Sequence, residues 1–299
     1  MTTTSGDTAH YIISGQQFDA PTLPVGLYIV STPIGNLRDI TLRALETLAA
    51  VDLVLCEDTR HSARLLDHYG IRGQRAALHD HNETDRIAGI LTRLGEGQAL
   101  ALISDAGTPL LSDPGFPLVR AVRRAGFEVF AIPGASALLA ALVSAGLPTD
   151  KFTFFGFLPS KAGTRTAALT ALDEQQETLI FYESPRRLAQ SLAAMSEAFG
   201  ENRQAVVALE LTKRFERSPS GSLGDLTAQF SDVETKGEAV IVVSGASAPK
   251  ISDENWQAAL ALAMHEQPLR TAVDDIARTY EIKRKLVYNQ ALAIKRAQP

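Results

Sequence analysis

A predicted strand followed by a patterned loop, near the middle of the chain, most constrains how this sequence can fold. The apolar run Ala99–Ile103 predicts a buried strand, and the loop after it contains Gly107, Pro109, Pro114 and Gly115. Glycine lets a ligand contact the backbone, and proline fixes that backbone in place. In open α/β sheets, ligands bind in such loops, outside the carboxyl ends of the strands. The segment therefore predicts an α/β protein with a ligand site after this strand.

The rest of the chain repeats the alternation of strands and helices. Further strands of a first block are predicted at Gly26–Val30, Val51–Cys56, Ala76–Leu78 and Phe127–Ile132. Strands that alternate with helices of this length favour βαβ units and a largely parallel sheet. Strands of a second α/β block are predicted at Phe152–Phe157, Thr178–Tyr182, Ala205–Leu211 and Glu238–Val243. No strand is followed by G-x-G-x-x-G, which argues against a Rossmann dinucleotide site.

The chain has 299 residues, more than one hydrophobic core usually organises, and its composition divides it into four parts. Residues 1–24 are Ser/Thr/Gly-rich and are expected to be a disordered extension; they lack the pattern of a signal peptide. Two α/β domains are expected at 25–133 and 134–247, and a helical domain at 250–299. The last helices of that domain, Leu269–Thr279 and Lys283–Ile294, are separated by a short turn and predict a helix-turn-helix-like unit.

Charge and cysteine content exclude some classes of function. The net charge is −5, so nucleic-acid binding would depend on local basic patches. Cys56 is the only cysteine, which excludes internal disulfides and a cysteine-cluster zinc site. The pair His79 and His81 is a weak metal pattern, and no metal is expected. Because no apolar run is long enough to span a bilayer, we expect no membrane partner and a cytoplasmic location.

The loop sequence S-D-A-G-T-P-L-L-S-D-P-G, residues 104–115, resembles the signature of the small-subunit rRNA methylase I group. This group is a branch of the tetrapyrrole (corrin/porphyrin) methylase superfamily, and the matching features extend from about Gly26 to the C-terminus. The corrin branch has G-G-D-P where this chain has A-G-T-P, which favours the rRNA branch. The resemblance implies two α/β domains of the class III methyltransferase type, with S-adenosylmethionine in the cleft between them. It also implies a homodimer and 2′-O-ribose methylation of a cytidine in the 16S rRNA of the small ribosomal subunit.

The resemblance also implies which residues contact S-adenosylmethionine. Carried over position by position, the residues expected to bind the cofactor are Pro33, Gly35, Ser104, Asp105, Ala106, Gly107, Thr108, Leu111, Ser136, Ala137, Tyr182, Glu183, Leu211 and Ala239. Leu211 and Ala239 match less closely than the others.

A ribose hydroxyl is a poor nucleophile, so a general base would help the reaction. Carboxylates at the ends of predicted strands are candidates, namely Glu57, Asp58, Asp105 and Glu183; the histidines named above also lie at a strand end. Glu57 and Asp58 have an alternative role as ion-pair partners of Arg60, and Asp105 as a brace of its own loop. Alignment of the two substrates without a base is a further alternative. The sequence does not choose among these.

Basic residues next to the cleft and in the C-terminal domain are candidates for RNA contact. They are Arg186, Arg187, Lys283, Arg284 and Lys285. The alternative is that these side chains are solvated surface and that the C-terminal helices pack on the body of the protein.

Two other functions are weighed against rRNA methylation. A methyltransferase of the same superfamily acting on a tetrapyrrole or a protein is one, and the basic C-terminal helices argue against it. A non-catalytic ribosome-assembly protein that binds RNA is the other, and the intact S-D-A-G-T-P loop argues against that.

Overall fold

The structure is a computed structural model that describes residues 9–231, 235, 237–246, 253–280 and 282–297. Contacts within the chain divide it at residues 246 and 247 into two compact units. The larger unit contains two five-stranded sheets and a short hairpin. Within the described residues, no helix combines the length and the apolarity needed to cross a membrane.

The chain begins with a β-hairpin made of β1 (His10–Ile13) and β2 (Gln16–Asp19). Its turn uses left-handed backbone at Ser14 and Gly15. Tyr11 is buried in the core of the first sheet, and the Ile12 amide donates to the Tyr69 carbonyl at 2.7 Å. The prediction of a disordered extension over 1–24 is therefore wrong for the hairpin, because apolar side chains of β1 pack on the body; residues 1–8 lie outside the described residues.

The first sheet is entirely parallel and has the strand order β5-β4-β6-β3-β7. Its strands are β3 (Gly26–Val30), β4 (Leu53–Cys56), β5 (Gln74–Ala77), β6 (Ala99–Ile103) and β7 (Val129–Ile132). The helices between them are α1 (Leu42–Ala50), α2 (Thr59–His68), α3 (Glu83–Gly95) and α4 (Phe116–Arg124). Successive side chains of β6 alternate between two cores: Ala101 packs into one and Leu102 into the other. Because both faces are covered, the strand reads as an unbroken apolar run.

The second sheet is mixed and has the strand order β11-β10-β12-β9-β8. Its strands are β8 (Phe152–Phe157), β9 (Thr178–Glu183), β10 (Gln204–Leu209), β11 (Ser220–Ser222) and β12 (Ala239–Val243). Only β8 and β9 are parallel, and the other pairs are antiparallel. Helices α5 (Ala137–Ser144), α6 (Ala162–Thr170), α7 (Leu188–Phe199) and α8 (Leu223–Phe230) accompany this sheet. The α/β class predicted for both blocks is confirmed.

In the described residues of the smaller unit there are three helices, α9 (Asp253–Glu266), α10 (Leu269–Thr279) and α11 (Arg284–Ala297). They share a core that includes Trp256, Leu260, Val273, Val287 and Ala291. The helical class of this region and the helices α10 and α11 were predicted, and a short connection joins these two helices. Because the apolar side chains recur at helical spacing and meet in one core, the unit has a hydrophobic interior of its own.

Candidate active site

A cavity of about 320 Å³ lies where the loop after β6 meets the second sheet. This volume is in the range of small-molecule sites in proteins. The cavity is lined by Ile34, Ala137, Phe157 and residues 105–108, 111–113, 182–185 and 237–240. Parallel strands bring their carboxyl ends to one edge of a sheet, so the loops after β3 and β6 meet here.

Backbone and hydroxyl hydrogen bonds join the loops that follow the strands of the first sheet. Thr32 and Gly107 exchange two backbone hydrogen bonds, at 2.8 and 3.1 Å. The hydroxyl groups of Ser31 and Thr108 are 2.9 Å apart, and Thr108 also donates to the Ala135 carbonyl at 3.2 Å. The loop after β6 is therefore fixed against the loops after β3 and β7 before any ligand binds.

The far end of the loop after β6 is held by a buried carboxylate. Glu83, at the start of α3, accepts hydrogen bonds from the amides of Gly115 at 3.3 Å and Leu118 at 2.8 Å. It thereby satisfies amides at the N-terminus of α4 that have no partner within the helix. Between these anchors, Leu110 and Ser112 adopt left-handed backbone with φ of 73° and 70°. Such backbone is retained only where the surroundings impose it, and it occurs most often at functional sites.

The same loop touches the second sheet at a glycine. Gly156 forms a bulge in β8 with φ of 65°, and a Cβ built on it would lie 2.6 Å from the Ser112 hydroxyl oxygen. A side chain at this position would push the loop away from the sheet. The glycine therefore permits the close approach that closes one side of the cavity.

Aromatic residues form the second-sheet wall of the cavity. The Tyr182 ring packs edge-on against Phe154 and Phe157, with centroids 4.8 and 5.7 Å apart. The Tyr182 hydroxyl oxygen accepts a hydrogen bond from the Leu138 amide at 3.2 Å, and burial raises the pKa of this phenol. Phe157 is 55% exposed although it is a large apolar residue. This wall offers ring faces to a planar ligand group.

The structure gives Glu183 a different role from the catalytic one considered for it. Its side chain is fully buried and accepts hydrogen bonds from the Ser184 amide and the Ser191 hydroxyl. The guanidinium of Arg187 lies 3.4 Å from the same carboxylate. Because both carboxylate oxygens are engaged inside the protein, Glu183 braces the end of β9 and cannot reach an acceptor.

The remaining carboxylates at this edge differ in their surroundings. Asp58 caps α2 by accepting from the Arg60 amide at 2.8 Å, and hydrogen bonds from Arg60 lower the pKa of Asp58. Burial raises the pKa of Glu57, and the charge of Asp105 raises it further. Burial, together with the charges of Glu57, Asp105 and Asp80, raises the pKa of Asp113 to about 6. Asp113 was quoted in the loop motif but was not among the predicted catalytic residues.

The structure places most of the predicted cofactor residues at the cavity wall. Those that line it are Asp105, Ala106, Gly107, Thr108, Leu111, Ala137, Tyr182, Glu183 and Ala239. Those that do not are Pro33, Gly35, Ser104, Ser136 and Leu211. Gly35 faces Lys213 instead, because a Cβ on it would lie 2.6 Å from the Lys213 Cγ. Leu211 is buried and packs in one core with Ile34, beneath the wall.

Sequence reasoning missed several lining residues, each for a definite reason. Ile34 lies between the predicted cofactor residues Pro33 and Gly35 but is an apolar residue without a chemical signature. Phe157 was assigned only to a strand, and nothing in the sequence marks it as exposed. Gly237 and Glu238 precede a strand rather than follow one. They reach the site because β12 runs antiparallel to β9, a pairing that the sequence pattern does not reveal.

Two of the basic residues predicted to contact RNA lie beside this site. Arg187 donates to the carbonyls of Leu158 at 2.7 Å and Pro159 at 3.2 Å, in addition to its ion pair with Glu183. These hydrogen bonds hold it within the protein, so its predicted role in RNA contact is not supported. Arg186 is exposed. Within the described part of the chain, no three His, Cys, Asp or Glu side chains are grouped so as to hold a metal ion.

Comparison with known proteins identifies the class to which this fold and site belong. The family model of tetrapyrrole (corrin/porphyrin) methylases matches residues 26–227, and the chain belongs to this family. Members of the family are methyltransferases that use S-adenosylmethionine as methyl donor. The resemblance seen in the sequence is therefore confirmed.

Relatives at higher identity carry a more specific name. The chain is 47% identical over 272 residues to "Ribosomal RNA small subunit methyltransferase I" of Escherichia coli O157:H7, covering 89% of this chain and 94% of that protein. It is 48% identical over 282 residues to the protein of the same name from Mesorhizobium japonicum, covering 93% and 96%.

Solved structures with much lower identity share the fold. The methyltransferase CobJ aligns with a TM-score of 0.57 at 20% identity, covering 76% of this chain and 97% of that chain. Uroporphyrin-III-C-methyltransferase from Thermus thermophilus aligns with a TM-score of 0.53 at 21% identity, covering 73% and 93%.

The residues present fit S-adenosylmethionine. The Ser136 hydroxyl is buried next to the cavity residue Ala137, and it has no hydrogen-bond partner among the described residues. A buried polar group without a partner is costly, so a polar atom of a ligand would satisfy it. The aromatic wall suits an adenine ring, and Asp105 suits the positive charge of the donor's amino group.

Proposed function

We propose that this chain transfers a methyl group from S-adenosylmethionine to the 2′-hydroxyl of a cytidine in the 16S rRNA of the small ribosomal subunit. One observation carries the proposal. The cavity built by the S-D-A-G-T-P loop belongs to a chain that is 47% and 48% identical to proteins named as small-subunit rRNA methyltransferases. The specific nucleoside and its oxygen come from the resemblance of the loop sequence to the rRNA methylase I group.

The predicted cofactor residues that line the cavity are proposed to contact the donor directly. The backbone of residues 105–108 would face its amino-acid part, and Tyr182 and Ala239 its adenosine part. Ser136 does not line the cavity, but its unpartnered hydroxyl lies next to the lining residue Ala137 and is proposed as a further contact. Ser104 and Leu211 lie behind the wall as supports, since both are buried.

Methyl transfer from a sulfonium requires alignment more than a dense catalytic cluster. When bound, S-adenosylmethionine supplies a methyl carbon that is already activated for in-line displacement. The protein has to hold the acceptor oxygen in line with that carbon and exclude water. The hydrogen bonds between Thr32 and Gly107 and the clamp at Glu83 preorganise the loop for this task.

The C-terminal unit is proposed to bind RNA phosphates. Lys283, Arg284 and Lys285 are exposed at the start of α11. A groove of about 540 Å³ runs beside them and is lined by Leu269, Arg270, Arg284, Tyr288, Leu292 and Lys295. Arg284 pairs with Asp274, so Arg270 and Lys295 carry much of the groove's charge. Cations on a surface of this kind position a phosphate backbone without reading its sequence.

Removal of these cations should weaken RNA binding. We expect Lys283→Ala/Arg284→Ala/Lys285→Ala and Arg270→Ala/Lys295→Ala each to lower RNA affinity. The salt dependence should fall by roughly one unit for each phosphate that the variant no longer neutralises. Fluorescence anisotropy with an rRNA fragment measures both quantities. Arg123→Ala/Arg124→Ala, on the exposed end of α4, removes two cations and is the charge-matched control for Arg270→Ala/Lys295→Ala. Unchanged binding by the C-terminal variants would leave these helices with a structural role only.

A homodimer in the cytoplasm, where ribosomal subunits are found, belongs to the same proposal. Leu139 and Val143 lie one turn apart on α5 and are 50% and 76% exposed, which supports an interface there. Sedimentation of the wild type and of Val143→Asp tests this part.

The decisive experiment is a methylation assay with labelled donor. The protein is incubated with methyl-labelled S-adenosylmethionine and unmodified 30S subunits, and the rRNA is digested to nucleosides. Label in 2′-O-methylcytidine, or in its doubly methylated derivative, is the expected result. If the donor binds but no label enters rRNA, the acceptor is wrong, and a tetrapyrrole or a protein becomes the candidate acceptor.

A further inference from the structure

The carboxylates that are candidates for the general base differ in their burial and in their hydrogen-bond partners. Glu183 is buried with both oxygens engaged, and Asp58 caps α2 and pairs with Arg60. Glu57 is half-buried and is not part of the cavity wall. Besides Glu183, whose carboxylate is fully buried, the acidic residues that line the cavity are Asp105, Asp113 and Glu238.

Two of the lining carboxylates are already committed to other groups. Glu238 pairs with Lys213 at 3.1 Å, and Asp105 accepts a hydrogen bond from the Asp58 amide at 3.3 Å. Asp113 takes part in none of the ion pairs among the described residues. A side-chain hydrogen bond from Ser104 lowers the pKa of Asp113, and the same hydroxyl also donates to the carbonyls of Ala106 and Gly107 at 3.4 Å.

We propose that Asp113 accepts the proton of the acceptor hydroxyl during methyl transfer. This inference rests on the proposed function, since it requires an oxygen acceptor. As the oxygen attacks the methyl carbon, an O–C bond forms and the C–S bond of the sulfonium breaks, leaving a neutral thioether. The O–H bond breaks in the same step, and its proton passes to the Asp113 carboxylate and later to solvent.

The backbone around Asp113 holds the carboxylate in one place. Leu110 and Ser112 have left-handed backbone, Pro114 follows directly, and Glu83 clamps the Gly115 amide. A general base must lie within hydrogen-bond distance of the proton that it removes. A loop fixed at both ends and strained in between provides this positional accuracy without the flexibility of a surface carboxylate.

The groups that face Asp113 make it a stronger base than an ordinary aspartate. Glu57 follows β4, Asp80 follows β5 and Asp105 follows β6, and all three charges raise the pKa of Asp113 in addition to its burial. The Ser104 hydrogen bond acts in the opposite direction. With a pKa of about 6, Asp113 is ionised at pH 7 and still holds a proton more readily than a solvated carboxylate.

The first test is Asp113→Asn, which keeps the shape of the side chain but removes the base. We expect the methylation rate of 30S subunits to fall by about 100-fold or more, the usual size of a general-base effect. Donor affinity, measured by calorimetry, and thermal stability should stay close to wild type. Asp113→Glu, which retains a carboxylate, should recover part of the rate. Wild-type rates in Asp113→Asn would overturn the base assignment but leave the methylation function intact.

The second test uses pH, because a purely structural role of Asp113 would not move a pH profile. The wild-type rate should rise with pH as Asp113 loses its proton and then level off. Ser104→Ala removes a hydrogen bond that lowers the pKa of Asp113, so the inflection should move to higher pH. Asp105→Asn removes a charge that raises this pKa, so the inflection should move to lower pH.

The outcomes of these tests distinguish a failure of the Asp113 assignment from a failure of the proposed function. If Asp105→Asn abolishes transfer without loss of donor affinity and Asp113→Asn transfers at the wild-type rate, the base is Asp105 and the proposal is wrong. If neither Ser104→Ala nor Asp105→Asn shifts the inflection, the titrating group is not Asp113, and the proposal is also wrong. If the wild type transfers no methyl group to any ribose oxygen, the proposed function fails and the base assignment fails with it.

Discussion

The two sheets of the larger unit reach the same cavity by different routes. In the first sheet all five strands are parallel, so residues that follow different strands gather at one edge. In the second sheet β12 runs antiparallel to β9, and Ala239 at the start of β12 lies opposite Glu183 at the end of β9. The first sheet thus contributes residues that follow the carboxyl ends of its strands. The second sheet contributes residues from the end of β9 and from the beginning of β12.

The two sheets also contribute different kinds of groups to the cavity. The first sheet contributes Gly107 and Thr108 in a loop that is anchored to its neighbours by hydrogen bonds. The second sheet contributes ring faces from Tyr182 and Phe157 and a buried carboxylate, Glu183, that supports them. We infer that the first sheet positions the reacting groups, whereas the second sheet forms a wall that determines the shape of the cavity.

The strongest test of this division is Gly107→Val. Gly107 has φ of 83°, and a Cβ on it would lie 3.2 Å from the Ile34 Cγ2. A β-branched side chain would disfavour this backbone and displace the loop from Ile34. We expect donor affinity to fall by more than 100-fold, measured by calorimetry with S-adenosylmethionine.

Gly97→Val is the matched control for this substitution. Gly97 has a similar φ of 89°, but a Cβ on it meets open space. It should lose some stability from the same backbone strain and keep its donor affinity. Equal donor affinity in both variants would remove the loop after β6 from the donor site.

The second-largest effect should come from replacing Glu183 or Glu83, the buried carboxylates that hold the end of β9 and the loop after β6. Glu183→Ala removes hydrogen bonds to Ser184 and Ser191 and leaves the Arg187 guanidinium without its carboxylate. We expect the free energy of unfolding to fall by about 3 kcal/mol, since hydrogen bonds to charged groups are worth more than neutral ones. Chemical denaturation measures this change.

Glu83→Ala is the corresponding substitution at the first sheet. It leaves the amides of Gly115 and Leu118 without their acceptor, and we expect a loss of about 2 kcal/mol. Because Glu83 clamps the loop after β6, donor affinity should fall more in Glu83→Ala than in Glu183→Ala. The reverse order would contradict the division of roles between the two sheets.

The strands and the ligand loop of the first, parallel sheet were predictable because the patterns that indicate them lie within short segments of the sequence. Ala99–Ile103 is apolar throughout since both faces are covered, and a ligand loop follows such a strand. The N-terminal hairpin escaped prediction because it depends on Tyr11 packing into a distant core.

The residues that the sequence could not identify depend on contacts between distant segments. Burial raises the pKa of Asp113 most, and the charges of Glu57 and Asp80, which lie more than thirty positions away along the chain, raise it further. Gly237 enters the site only through the antiparallel placement of β12. Strand order and strand direction, rather than composition, determine the surroundings of Asp113 and bring Gly237 into the site.

The smallest predicted effect concerns the hydroxyl of Tyr182. Tyr182→Phe removes the acceptor of the Leu138 amide at the start of α5, and we expect a loss of about 1 kcal/mol in stability. Tyr28→Phe is the control, since its hydroxyl donates to the Pro24 carbonyl at 2.8 Å, away from the cavity. Donor affinity should change less than threefold in both variants, because the ring of Tyr182 remains as a wall. A loss of donor binding in Tyr182→Phe alone would show that the second sheet holds the donor by a polar contact, and the proposed division of roles would need to be abandoned.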